Sequence, residues 1–123
     1  MLLLIRSAAM TTDKEIRTYL SSHKLLMQRA ELRYEKIRFY EKYNAVGEYR
    51  AILAHEAESL LAERRKIERT IDALSEPSKT ILRLRYIEGH TLEETADKLH
   101  YAYRWTSRLQ AKAINDFREA VKG

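Results

Sequence analysis

The chain has 123 residues and no cysteine, so a disulfide framework and a thiolate metal site are excluded. Proline occurs once and glycine three times, too few for the closely spaced turns of a β-rich fold. Long apolar runs are missing as well. The run at Met1–Ile5 falls well short of the roughly 20 residues of a membrane span or the roughly 7–15 of a secretory core. Met1–Ala9 therefore reads as a tail, or as a start upstream of a natural Met10, and the expected location is cytoplasmic with no membrane contact. There is no glycine-rich phosphate loop. His23, His55, His90 and His100 form no H-x-x-x-H pair and join no acidic cluster, so no metal site is expected. Nothing brings a nucleophile, a base and an orienting group together, so neither catalytic residues nor a cofactor are expected.

What is there is helical and basic. Lysine and arginine number 23 against 18 acids, a net charge of +5, which favours an anionic partner without specifying one. The expected fold is all-α: a long N-terminal helical hairpin or coiled coil, then a C-terminal trihelical helix-turn-helix domain. Residues 1–11 read as a disordered tail, 12–74 as a helical dimerisation or interaction region, and 75–123 as the DNA-binding domain.

Thr12 or Asp13 caps the first helix. From there Ile16, Leu20, His23, Met27, Ala30, Tyr34 and Ile37 recur at heptad-like spacing, with His23 read as a polar core residue. Tyr43–Gly47 punctuates the pattern as a hairpin turn or a kink, with the turn favoured. A second stripe follows: Leu53, Ala57, Leu60, Ile67, Ile71 and Leu74, with Arg64 as its one charge. The basic cluster Arg64, Arg65, Lys66 and Arg69 reads as a solvated face paired with Glu63 and Glu68. Two such helices alone expose much apolar surface, which points to a homodimer through the N-terminal helices; the other reading is a hairpin packed on the C-terminal domain.

Ser75 reads as a cap and Pro77 as the first turn of a helix carrying Ile81, Leu84 and Ile87 inward. Gly89 suits a left-handed turn, and Thr91 with Glu94 forms a capping box. Leu92, Thr95, Ala96 and Leu99 make one inward stripe. His100, Tyr101 and Ala102 form a tight turn, with Tyr101 expected to plug the angle between the helices. The next helix starts near Tyr103 and turns Thr106, Leu109, Ala113, Ile114 and Phe117 inward. Its other face offers Tyr103, Arg104, Ser107, Arg108 and Lys112. In a helix-turn-helix, the first residues of the second helix meet base edges, and arginine matches guanine O6 and N7. Arg104 and Arg108 are therefore the expected base readers, with Tyr103 and Ser107 contributing. Thr91 and Lys112 are expected on phosphates. Trp105 either packs under the turn or touches DNA.

These pieces resemble region four of bacterial sigma factors, the helix-turn-helix domain that reads an upstream promoter element. The resemblance runs from Leu74 to Lys122. It rests on the Leu-Ser-Glu-Pro lead-in, Ile81–Tyr86, Glu88-Gly89, Thr91–Glu94, Ala96 and Ala111–Ala113. It departs where the family commonly has a Thr-Arg-Glu-Arg run, since this chain has Ala102-Tyr103-Arg104-Trp105. Thr106 stands in place of the usual Ile or Val, and Ser107 in place of a basic residue, so the family's base preference does not carry over. The layout, with a helical N-terminal half and this module at the end, resembles the ArpU-like family of phage late-gene transcription regulators. The resemblance implies a sequence-specific regulator of transcription that binds double-stranded DNA and is encoded by a phage or prophage. Two rivals stay open. One is an adaptor that binds RNA polymerase, as sigma region four also does; the other is a DNA-packaging recognition subunit of the small terminase type.

Overall fold

The computed structural model describes residues 12–43 and 47–122. The expected tail at 1–11 lies outside the described residues. Five helices follow one another: α1 (Asp13–Lys42), α2 (Gly47–Asp72), α3 (Ser78–Leu82), α4 (Leu92–Leu99) and α5 (Tyr103–Lys122). Between α3 and α4 the backbone widens into a π-helical turn over Arg83–Ile87. Among the described residues there is no strand, and the fold is all-α.

The first helix begins where the sequence says it should. The Thr12 side chain accepts from Glu15 N–H, and the Glu15 carboxylate accepts from Thr12 N–H, which satisfies two of the helix's orphan donors. The helix runs 30 residues, about 45 Å at ~1.5 Å per residue. It then meets α2 side by side and antiparallel. Arg50 Nε contacts Glu41 at 2.6 Å near the tip, and Tyr34 donates to Glu58 at 2.9 Å further down. His23 Nε2 reaches Glu68 at 2.6 Å near the base. In each step inward one partner's number falls as the other's rises, so the connection is a hairpin rather than a kink. Residues 44–46, the middle of the expected break, lie outside the described residues.

The helical stripes are buried largely as the periodicity requires. Ile16, Leu20, His23, Ala30 and Ile37 of α1 face Leu53, Ala57, Ile67 and Ile71 of α2. One assignment is corrected: Leu26, not Met27, turns inward, and Met27 is left exposed. The inward line drifts round a straight helix by ~20° per heptad, so which of two adjacent apolar residues is covered depends on where α2 lies. His23 is buried among these apolar residues with Glu68 as its partner, as a polar core residue requires. The basic cluster on α2 is tied to its own acids, Arg64 to Glu68 and Lys66 to Glu63, each at 3.4 Å.

The base of the hairpin and the C-terminal helices share one core. Ile16 and Leu20 of α1, Ile67 and Ile71 of α2, Leu82 of α3, and Ala113, Ile114 and Phe117 of α5 are all fully buried in one cluster. Tyr19 packs its ring 6.0 Å from that of Phe117, and Asp13 pairs with Arg118. Burial holds the Tyr19 hydroxyl above the usual tyrosine range, with Glu63 adding to the effect.

Two expectations about the middle segment change. Ser75 does not cap α3 with its side chain. The Glu76 carboxylate accepts from both Thr80 N–H (3.1 Å) and the Thr80 hydroxyl (2.6 Å), and the hydroxyl bond holds that carboxyl below its ordinary range. Leu82 is fully buried beside Ile81, whereas Leu84 and Ile87 are only half-buried. The π turn after Leu82 accounts for Leu84 and Ile87. Glu88 N–H bonds the Arg83 carbonyl five residues back, so the inward line slips off the 3.6-residue period.

Candidate nucleic-acid interface

Local chemistry sets the two helices that matter most. Thr91 accepts from Glu94 N–H at 3.1 Å while Glu94 accepts from Thr91 N–H at 2.9 Å. That second bond holds the Glu94 carboxyl below its ordinary range. Gly89 has φ +81, a left-handed backbone that side chains disfavour, and it swings the chain from the π turn into the cap. The helix so started is short. It ends at His100, itself left-handed at φ 59, and Tyr101 N–H closes it on the Ala96 carbonyl at 3.0 Å. Three residues later α5 begins.

The turn is open rather than plugged. Tyr101 is 41% exposed and fills no angle between the helices. The angle is set instead by small and polar groups. Thr95 and Ala96 of α4 and Thr106 of α5 are buried. Thr95 and Thr106 each return their hydroxyl to a carbonyl four residues back, at 2.9 and 3.0 Å, so neither buries an unpaired polar atom. A larger residue at 96 would hold the helices apart.

On α5 the inward line is Thr106, Gln110, Ala113, Ile114 and Phe117, all buried, with Leu109 half-buried. Gln110 was not anticipated. It accepts from Arg85 Nε at 2.6 Å, and Arg85 also donates to the His90 carbonyl at 2.8 Å. One guanidinium thus ties the π turn, the lead-in to α4 and the middle of α5 together. The signal was a polar residue four positions after Thr106 on the inward line, which calls for a buried partner. Ser78 and Asp116 make a second tie, 2.7 Å long, between α3 and α5. This bond chiefly, with Lys112 assisting, holds the Asp116 carboxyl below the usual range.

The outward face of α5 carries uncommitted positive charge. Tyr103, Arg104, Trp105, Ser107, Arg108 and Lys112 are all exposed. Trp105, at 50%, does not pack under the turn. Arg104 and Arg108 lie one turn apart, about 6 Å along the axis. Neither has an ion pair or side-chain hydrogen-bond partner among the described residues, a state they share with Arg17, Arg29, Arg38, Arg65 and Arg69, whereas Arg33, Arg50, Arg64, Arg83, Arg85 and Arg118 are paired. No acid occurs from Tyr103 to Asn115. Lys112 differs, since its ammonium sits 3.0 Å from Asp116. Thr91 is exposed at the N-terminus of α4, its hydroxyl accepting from Glu94 N–H and facing the Glu94 carboxylate. The structure therefore brings together an uncommitted basic face and a short preceding helix whose capped N-terminus is solvent-facing.

A capped short helix, a three-residue turn opened by left-handed His100, and a longer helix with a free basic face define a helix-turn-helix module. Residues 70–119 match the family model for Sigma-70, region 4. No curated protein and no solved structure matches the chain. Among the described residues no group of three or more His, Asp or Glu side chains is placed to hold a metal, and no helix is long and apolar enough to cross a membrane.

Proposed function

We propose that this protein is a sequence-specific regulator of transcription that binds double-stranded DNA, with residues 75–123 reading the duplex and residues 12–74 serving as its self-association and interaction region. One observation carries the reading. Arg104 and Arg108 stand exposed and unpaired on an acid-free face at the start of α5, where a helix-turn-helix meets base edges. An arginine left without an internal partner has its donors available for guanine. Tyr103 and Ser107 border the same face, and Trp105, exposed beside it, offers an aromatic surface to a thymine methyl or the sugar-phosphate chain. Thr91 and Lys112 hold phosphates and set the register, Lys112 after exchanging Asp116 for a phosphate oxygen. That exchange is cheap, because an exposed i,i+4 pair contributes at most ~0.5 kcal/mol. The match to sigma region four supports DNA as the partner. At the finer level the protein is an ArpU-like late-gene regulator of a phage or prophage, working in the cytoplasm.

Selection of bound fragments from a random duplex library, at two salt concentrations, tests this. A motif that persists at the higher salt is the expected result. Binding that is blind to sequence and vanishes with salt would refute specific readout. It would move the reading to an adaptor that works by docking on RNA polymerase.

A further inference from the structure

The hairpin leaves one face uncovered. Leu25, Leu32 and Phe39 recur every seventh residue along α1, and each is exposed, by 43%, 56% and 58%. Adding Arg29, Lys36 and Tyr43 completes a single stripe in steps of four and three, in which apolar and basic residues alternate until the tip. The stripe continues onto α2. Leu32 and Lys36 share a shallow cleft with Tyr49 and Glu56, and ring contacts run from Tyr43 through Phe39 and Tyr40 to Tyr49. One turn beyond Tyr49, Ile52 is 52% exposed. On α2 the charged residues beside these apolar ones are acidic, Glu48 and Glu56, of which Glu56 already pairs with Arg33 at 3.2 Å.

We infer that this face docks a second copy of the chain, α1 of one protomer lying on α2 of the other about a twofold axis. The inference rests on reading the N-terminal helices as a self-association region, and it names the face. Charge complementarity selects the occupant. A basic-apolar row on α1 matches an acidic-apolar row on α2, and a twofold axis uses each match twice. Arg29, Lys36 and Glu48 make no ion pair within the chain among the described residues, so they are free to pair across the interface. The 4-3 spacing is that of helices packed at a shallow left-handed angle. The α1 row runs about 27 Å from Leu25 to Tyr43 and the α2 row about 12 Å from Glu48 to Glu56, each about 10 Å wide. Together they offer a flat footprint of about 390 Å² per partner, that of a weak dimer rather than the roughly 800 Å² of a stable one. The DNA face on α5 plays no part in it.

Sedimentation equilibrium of the full chain tests the inference, comparing wild type with L32E/F39E and with a control on another face of α1, the exposed Arg38→Glu. Both altered side chains are more than half exposed in the single chain, and circular dichroism checks that the helices persist. Wild type and the control should be dimers, and L32E/F39E should dissociate at least about 100-fold more readily, because four side chains change per dimer. Lys36→Glu should weaken the dimer, and adding Glu48→Lys should restore it. A wild type that stays monomeric at about 100 μM would overturn the self-association reading and the face with it. A dimer that L32E/F39E leaves intact would overturn the face alone.

Discussion

Arg108→Ala separates recognition from folding, and Arg85→Ala is its counterpart. Both arginines belong to the same module, yet their guanidinium groups are committed differently. Arg108 is exposed and has no partner in the chain, so its loss should change stability by no more than about 0.5 kcal/mol. On the selected duplex the same change should remove a base contact worth roughly 1–3 kcal/mol, or roughly 5- to 150-fold in affinity, and relax one position of the motif. Arg85 donates to Gln110 and to the His90 carbonyl, at 2.6 and 2.8 Å. Removing it leaves the buried Gln110 oxygen without its donor and should cost about 2–3 kcal/mol of stability. Urea unfolding and fluorescence anisotropy on a labelled duplex, run on both variants, measure the two quantities separately. If Arg108→Ala binds its duplex unchanged, the assignment of that face to DNA fails. If Arg85→Ala unfolds like wild type, the three-way tie is not structural.

Phe117→Ala should cost about 3–5 kcal/mol, since the ring is fully buried where α1, α2 and α5 meet. Because that core is shared, near-ultraviolet and far-ultraviolet signals should be lost in one transition; two separated transitions would count against it. The depressed Asp116 carboxyl adds stability that is full above the ordinary aspartate range, near pH 4, and lost as pH falls through its lower folded value. Ser78→Ala raises that folded value, so the variant's deficit should be largest at neutral pH and shrink towards pH 2 in acid-dependent melts. A deficit independent of pH would refute the link. His100→Gly should raise the unfolding free energy slightly, by about 0.5 kcal/mol in urea titrations, as relief of left-handed strain of ~1–2 kcal/mol outweighs the greater freedom of glycine in the unfolded chain.

The helix starts were legible because capping is local. Thr12 with Glu15 and Thr91 with Glu94 need only each other, three residues apart, and Gly89 needs only its own backbone. The uncommitted face of α5 was legible for the same reason, since a helix's periodicity separates Thr106, Ala113, Ile114 and Phe117 from Arg104 and Arg108 without reference to anything else. The sequence alone thus determined the all-α class, the helix-turn-helix and which of its faces is outward. Tertiary structure decided what depends on partners distant in the chain. It closed α1 and α2 into a hairpin, chose Leu26 over Met27, and put Leu82 in the core while the π turn after it left Leu84 and Ile87 half-buried. It also sorted the arginines. Arg85 and Arg108 look alike in sequence, but only packing places Gln110 and the His90 carbonyl around one and solvent around the other, and a side chain's role follows from whether its charge is already satisfied.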